Sequence, residues 1–178
     1  LAQTTTSDSK HGLGRCKNLR NLHLSLDSSS WDEPSFTFIS SNFGGSLQSL
    51  TLESYTIKGH YLGMLLEKLC SLRHLRLVFQ GHLIGISDAI WDLLDRGVIC
   101  LGSEKANILP HLLTLDLEGE QDCDESLFTG LLQNINRGLT SLLLHTPYVK
   151  GPQQGQSYLL DSDMDMGAHF PALKTMHC

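Results

Sequence analysis

CSLRHLRL, residues 70–77, sets two arginines and a histidine among three leucines. Its charges suggest a nucleic-acid patch, and its leucines suggest a strand with one buried face. The charge of the whole chain decides between them. There are 13 Lys and Arg against 19 Asp and Glu, a formal net charge of −6 with histidines neutral. Binding to nucleic acid draws most of its affinity from neutralising phosphates, so no nucleic-acid partner is expected. The leucines then carry the reading. Leu72, Leu75 and Leu77 give the pattern Leu-x-x-Leu-x-Leu, which also fits Leu19, Leu22, Leu24; Leu47, Leu50, Leu52; Leu112, Leu115, Leu117; and Leu139, Leu142, Leu144. A weaker sixth copy is Leu173, Met176, Cys178. First positions are 28, 25, 40, 27 and 34 residues apart, the scale of a repeat architecture.

The last residues of each copy alternate apolar and polar, which is the signature of a half-buried strand. Leu22 and Leu24 take one face, and Asn21, His23 and Ser25 the other. Segments with helical spacing lie between copies. In 59–70 the stripe is Leu62, Leu65, Leu66 and Leu69. In 124–138 it is Leu127, Leu131 and Ile135 with Phe128 and Leu132 beside them, and Gly138 is the expected helix stop. In 87–97, Ser87 is the expected N-cap, Ile90, Trp91 and Leu94 the apolar face, and Gly97 the stop. In 32–45, Pro34 belongs to the first turn, with Phe36, Ile39 and Phe43 facing inward and Gly44 and Gly45 following. Trp31, Trp91, Phe36 and Phe43 all read as packing residues. Strand and helix alternating imply a parallel α/β sheet with crossover helices, each unit burying its leucines only by stacking on its neighbours.

On these residues the chain resembles the leucine-rich repeat family over about residues 16–178, as roughly six irregular repeats after a flexible N-terminal tail, 1–15. The resemblance implies a short horseshoe-shaped solenoid, with the parallel sheet concave and the helices convex. One departure stands out. The Asn position that follows each triplet in the family holds Asp27, Tyr55, Gln80, Glu120 and Pro147 here, so the asparagine ladder is missing. That favours irregular repeats with long helices, similar to the C-terminal repeats of fungal F-box proteins. The resemblance implies a protein–protein interaction module in an intracellular protein, cytoplasmic or nuclear. It implies the substrate-recognition part of an F-box-like ubiquitin-ligase adaptor, reaching the ligase scaffold through a missing N-terminal domain. The alternatives are the sensing or inhibitory repeats of an intracellular immune receptor, and a structural spacer.

The outward strand positions form one continuous surface, and they are the candidate partner-binding residues: His23, Thr51, Glu53, His74, Arg76, Asp116, Glu118, Leu143 and His145. Six strands spaced ~4.8 Å apart make a floor about 24 Å long, suited to a peptide or protein segment. Arg76 and Asp116 occupy equivalent sites on neighbouring strands and are expected to pair.

Other chemistry finds little support. No HExxH, GxSxG or phosphate-cradling GxxxxGK[ST] occurs, so no catalytic, cofactor or metal site is expected and the chain reads as a non-enzyme. The run DSDMDMG, 161–167, lacks the Gly and Glu that an EF-hand loop needs, because those places hold Met166 and Ala172. The acids of EGEQDCDES, 118–126, suit a helix N-terminus. Cys16, Cys70, Cys100, Cys123 and Cys178 form no CxxC, as expected of a reducing, intracellular compartment. No apolar run reaches a membrane-spanning length. Without a starting Met, the chain reads as a fragment of a longer protein. The two long spacings, around 97–111 and 150–171, are expected to be surface excursions.

Overall fold

Each leucine-bearing copy forms a strand. In the computed structural model, which describes residues 18–26, 33–54, 59–82, 84–99, 108–120, 125–145 and 165–177, the strands are β1 (Asn21–Leu26), β2 (Ser49–Ser54), β3 (His74–His82), β4 (Thr114–Glu120), β5 (Ser141–His145) and β6 (Thr175–His177). A helix separates each from the next: α1 (Glu33–Phe43), α2 (Gly59–Lys68), α3 (Ile84–Asp95), α4 (Glu125–Asn134) and the short α5 (Met166–His169). The six strands make one sheet in sequence order, with every pair parallel. The alternation of strand and helix is that of an α/β solenoid. The tail at 1–15, Trp31 and four of the five cysteines lie outside the described residues.

The register aligns the triplets. Leu22, Leu50, Leu75, Leu115, Leu142 and Met176 stand opposite one another in turn, as do Leu24, Leu52, Leu77, Leu117 and Leu144. Leu47, Leu72, Leu112 and Leu139, the first leucines of the four central copies, are wholly buried. The strand leucines share one core with Phe36, Ile39 and Phe43 of α1, Leu62, Leu65 and Leu66 of α2, Ala89, Ile90 and Leu93 of α3, and Leu131 and Leu132 of α4. All four long helices therefore lie on the leucine side. Each such leucine stabilises the fold by roughly 1.5–3 kcal/mol through burial. At the sheet's ends this burial fades: Leu22 and Leu24 are half-buried and Met176 is exposed.

A second repeat lies in the backbone. The carbonyls of Arg20, Gln48, Arg73, Leu113 and Thr140 each accept two N–H groups from the start of the next unit, at Gln48/Ser49, Arg73/His74, Leu113/Thr114, Thr140/Ser141 and Lys174/Thr175. Side chains add similar stitches. Ser46 Oγ donates to Leu19 O, Ser71 Oγ to Gly45 O, Thr140 Oγ1 to Leu113 O and Asn136 Nδ2 to Leu112 O. Small polar residues around Leu47, Leu72 and Leu139 thus satisfy carbonyls of the preceding unit, despite the missing asparagine ladder. At two of those missing Asn positions the chain does not turn: β3 runs through Gln80 to His82, with a bulge after Val78, and β4 ends on Glu120.

Four expectations need correction. Helix α3 begins at Ile84, so Ser87 lies inside it and is not its cap. Its buried face is Ala89, Ile90 and Leu93, while Trp91 is 53% exposed. The cause is close packing on α2: a Cβ at Gly59 would run into Asp88 and the backbone of Ala89. Ala89 is thereby turned inward, and Trp91, two residues or about 200° further round, points out. Helix α4 stops at Asn134, and Gly138 instead donates its N–H to Asn136 Oδ1 in the turn before β5. At their described edges both long spacings return buried residues to the core, Ile99, Ile108 and Leu109 in the first and Phe170 in the second, while 100–107 and 150–164 lie outside the described residues. The stop at Gly97 is as expected. It has φ +68°, and the bonds from Gly97 N to Leu94 O and Val98 N to Leu93 O form a Schellman motif.

Candidate functional site

The strand positions that face away from the helices form three in-register rows. The first is Asn21, Ser49, His74, Thr114, Ser141 and Thr175; the second His23, Thr51, Arg76, Asp116, Leu143 and His177; the third Ser25, Glu53, Val78, Glu118 and His145. All nine candidate partner-binding residues belong to these rows. His23, His74, Arg76 and His145 are exposed, and Thr51, Glu53, Glu118 and Leu143 half-buried.

Their contacts run across strands. His23 Nε2 lies 3.1 Å from Glu53 Oε1, and His74 Nδ1 lies 3.2 Å from Thr114 Oγ1. Arg76 was expected to pair with Asp116, but its shorter contact is with Glu118: Nη2 donates to Glu118 Oε2 at 2.8 Å, while Nη1 stands 3.6 Å from Asp116 Oδ2. The outward pattern also misleads for Asp116, which is only 9% exposed. Its Oδ1 has under 1 Å² of exposed surface and no hydrogen-bond partner. His145 Nε2 stands 3.8 Å from that oxygen. A buried carboxylate oxygen without a donor is costly, since ionised groups need hydrogen bonds to offset lost hydration. Alternation places Asp116 on this face, and its cross-strand neighbours there, Arg76, Leu143 and His145, are 27 or more positions away in sequence.

A different charge cluster joins α2 to α3. Arg96 donates through Nε and Nη2 to Asp92 Oδ2 at 2.9 and 2.6 Å, and through Nη1 to Glu67 Oε2. His60 Nδ1 lies 2.6 Å from Asp92 Oδ1, and Lys68 Nζ donates to Glu67 Oε1. Burial pushes the Asp92 carboxyl up, but hydrogen bonds from Arg96 and His60 outweigh it and hold it below the ordinary aspartate value. The bonds from Lys68 and Arg96 likewise hold Glu67 low. Burial works against the Arg96 charge, yet its two carboxylate partners raise its pKa above the usual arginine value. Here every charge is answered, in contrast to Asp116 Oδ1. The exposed Trp91 and this helix-side network are the features that sequence patterning missed.

Among the described residues no cluster of His, Cys, Asp or Glu could hold a metal ion. Asp165 of the DSDMDMG run caps α5, accepting from Ala168 N, and residues 161–164 lie outside the described part. Of the EGEQDCDES acids, Glu120 ends β4 and Glu125 begins α4, while Asp122 and Asp124 are outside it. A small void on the leucine side, under β3 and β4, is lined by Leu66, Leu75, Leu77, Leu109, Leu112, Leu115, Leu117, Leu131 and Ile135. With no polar wall it offers nothing to orient a ligand. Cys70 is exposed. No described helix is long and apolar enough to cross a membrane.

Comparisons of the chain with protein-family models, with curated proteins and with solved structures found no match in any of the three.

Proposed function

We propose that the chain is a leucine-rich-repeat module, a short horseshoe that binds an extended polypeptide on the open face of its sheet and catalyses no reaction. One observation carries this: three rows of mainly polar side chains run in register across six strands. The floor they make is ~24 Å long, the span of about seven extended residues. The repeated turn and carbonyl stitches support the family reading. An open floor suits main-chain and side-chain contacts from a peptide better than a small molecule, which favours an enclosed pocket. The fungal F-box resemblance belongs to the same proposal, with this face selecting the substrate of a ubiquitin-ligase adaptor.

The test is selection of binders from a random peptide display library. Thr51→Trp and Leu143→Trp block the floor without changing charge, and both should abolish binding of the selected peptides. Trp91→Ala, on the helix side, should leave it intact. Peptides indifferent to both floor variants, or a library that yields no binder, would remove the proposal.

A further inference from the structure

The open face has one strongly marked point. Among the described residues of its three rows the carboxylates are Glu53, Asp116 and Glu118, and the one permanent cation is Arg76. Arg76 is drawn mainly to Glu118, at 2.8 Å, which leaves Asp116 with a contact of 3.6 Å through Oδ2 and no hydrogen bond at Oδ1. The groups around that oxygen on the flanking strands are Arg76 on β3 and Leu143 and His145 on β5. The His145 side chain is 53% exposed, and at 3.8 Å it is beyond hydrogen-bond reach of Oδ1. It stands beside the carboxylate without satisfying it.

We propose that Asp116 anchors a lysine or arginine side chain of the polypeptide partner, which displaces His145 and donates to Oδ1, with Glu118 as a second acceptor. The inference rests on the open face being a polypeptide-binding surface. Charge complementarity selects the class of side chain: two carboxylates share one guanidinium, so a second cation completes the pairing. A backbone amide could supply a donor but not the charge. Desolvation strengthens such a contact, because a charge-assisted bond gains as water is excluded. The partner segment is therefore basic at the residue over the centre of the sheet and tolerant elsewhere.

The display selection decides this separately from the broader reading. Peptides that compete with the floor variants should be enriched in Lys or Arg at one position. Replacing that residue by Gln in a selected peptide should weaken binding about tenfold or more, read by fluorescence anisotropy. With Asp116→Asn protein the same replacement should change little. Floor-binding peptides without basic enrichment, or whose Lys or Arg can be replaced without effect, would overturn the anchor and leave the polypeptide-binding face standing. Peptides that ignore the floor, or none at all, would overturn both. Should Asp116→Asn not fold, the Gln replacement in the peptide against the unaltered protein still decides.

Discussion

Alternate residues of the same strands build two very different faces. On the helix side the second and third leucines of copies two to five are no more than 4% exposed. On the open side the equivalent rows hold Ser, Thr, His, Arg, Asp, Glu, Val and Leu with no single theme. The first face is constrained by packing at every unit, because each leucine touches neighbours above, below and behind. The second is constrained almost nowhere, so its chemistry is free to serve recognition. Asp116 is the point where that freedom stops: a charge on the open side with the burial of a core residue.

Adjacent residues can break or sharpen this contrast. The largest effect is expected for Leu142→Ala, which removes a wholly buried side chain and should cost ~2–5 kcal/mol in chemical unfolding. Next comes Gly59→Ala. Its Cβ collides with Asp88 and Ala89, and overpacking of this kind should cost ~1–3 kcal/mol. If it is tolerated, the close approach of α2 and α3 is not a constraint on the leucine side. Smaller again is Asp92→Asn, at about 1 kcal/mol near neutral pH. The sign of its pH dependence is fixed by Asp92 and Glu67, whose folded pKa values lie below ordinary ones. Their contribution is present above the unfolded carboxylate range, about pH 4, and is lost as pH falls through the folded values. The gap between the native protein and the variant should therefore close in acid; a gap independent of pH would mean the network is electrostatically inert. The smallest effect belongs to Leu143→Ala, next in sequence to Leu142 but on the open side. It should change stability by less than about 1 kcal/mol. Equal losses at Leu142 and Leu143 would erase the distinction between the faces.

The fold was largely legible because leucine spacing is a direct record of burial. The triplets at Leu22, Leu50, Leu75, Leu115 and Leu142 lie side by side, and α1 and α2 bury the stripes read for them. Reading failed where a neighbour distant in sequence decided the outcome. Ile90, Trp91 and Leu94 make a plausible stripe, but Gly59 on α2 rotates the real one to Ala89, Ile90 and Leu93. A further signal was available and unused. Leu69, Leu109 and Phe170 each precede a first leucine by three residues, and each carbonyl accepts that leucine's N–H in the turn before the strand. Counting them would have moved the ends of the long spacings into the core. For the site, periodicity located the rows but not their cross-strand cover, so the burial of Asp116 and the preference of Arg76 for Glu118 were beyond it.

The doubly accepting carbonyls have a dynamic consequence. Each of the five links one unit only to the next, so no hydrogen bond of this kind spans the whole sheet. Opening is then expected to travel inward from the two outer strands, where Leu22, Leu24 and Met176 are least covered. Amide deuterium uptake should be fastest in β1 and β6 and slowest in β3 and β4, which keeps the Asp116 neighbourhood ordered while the margins breathe.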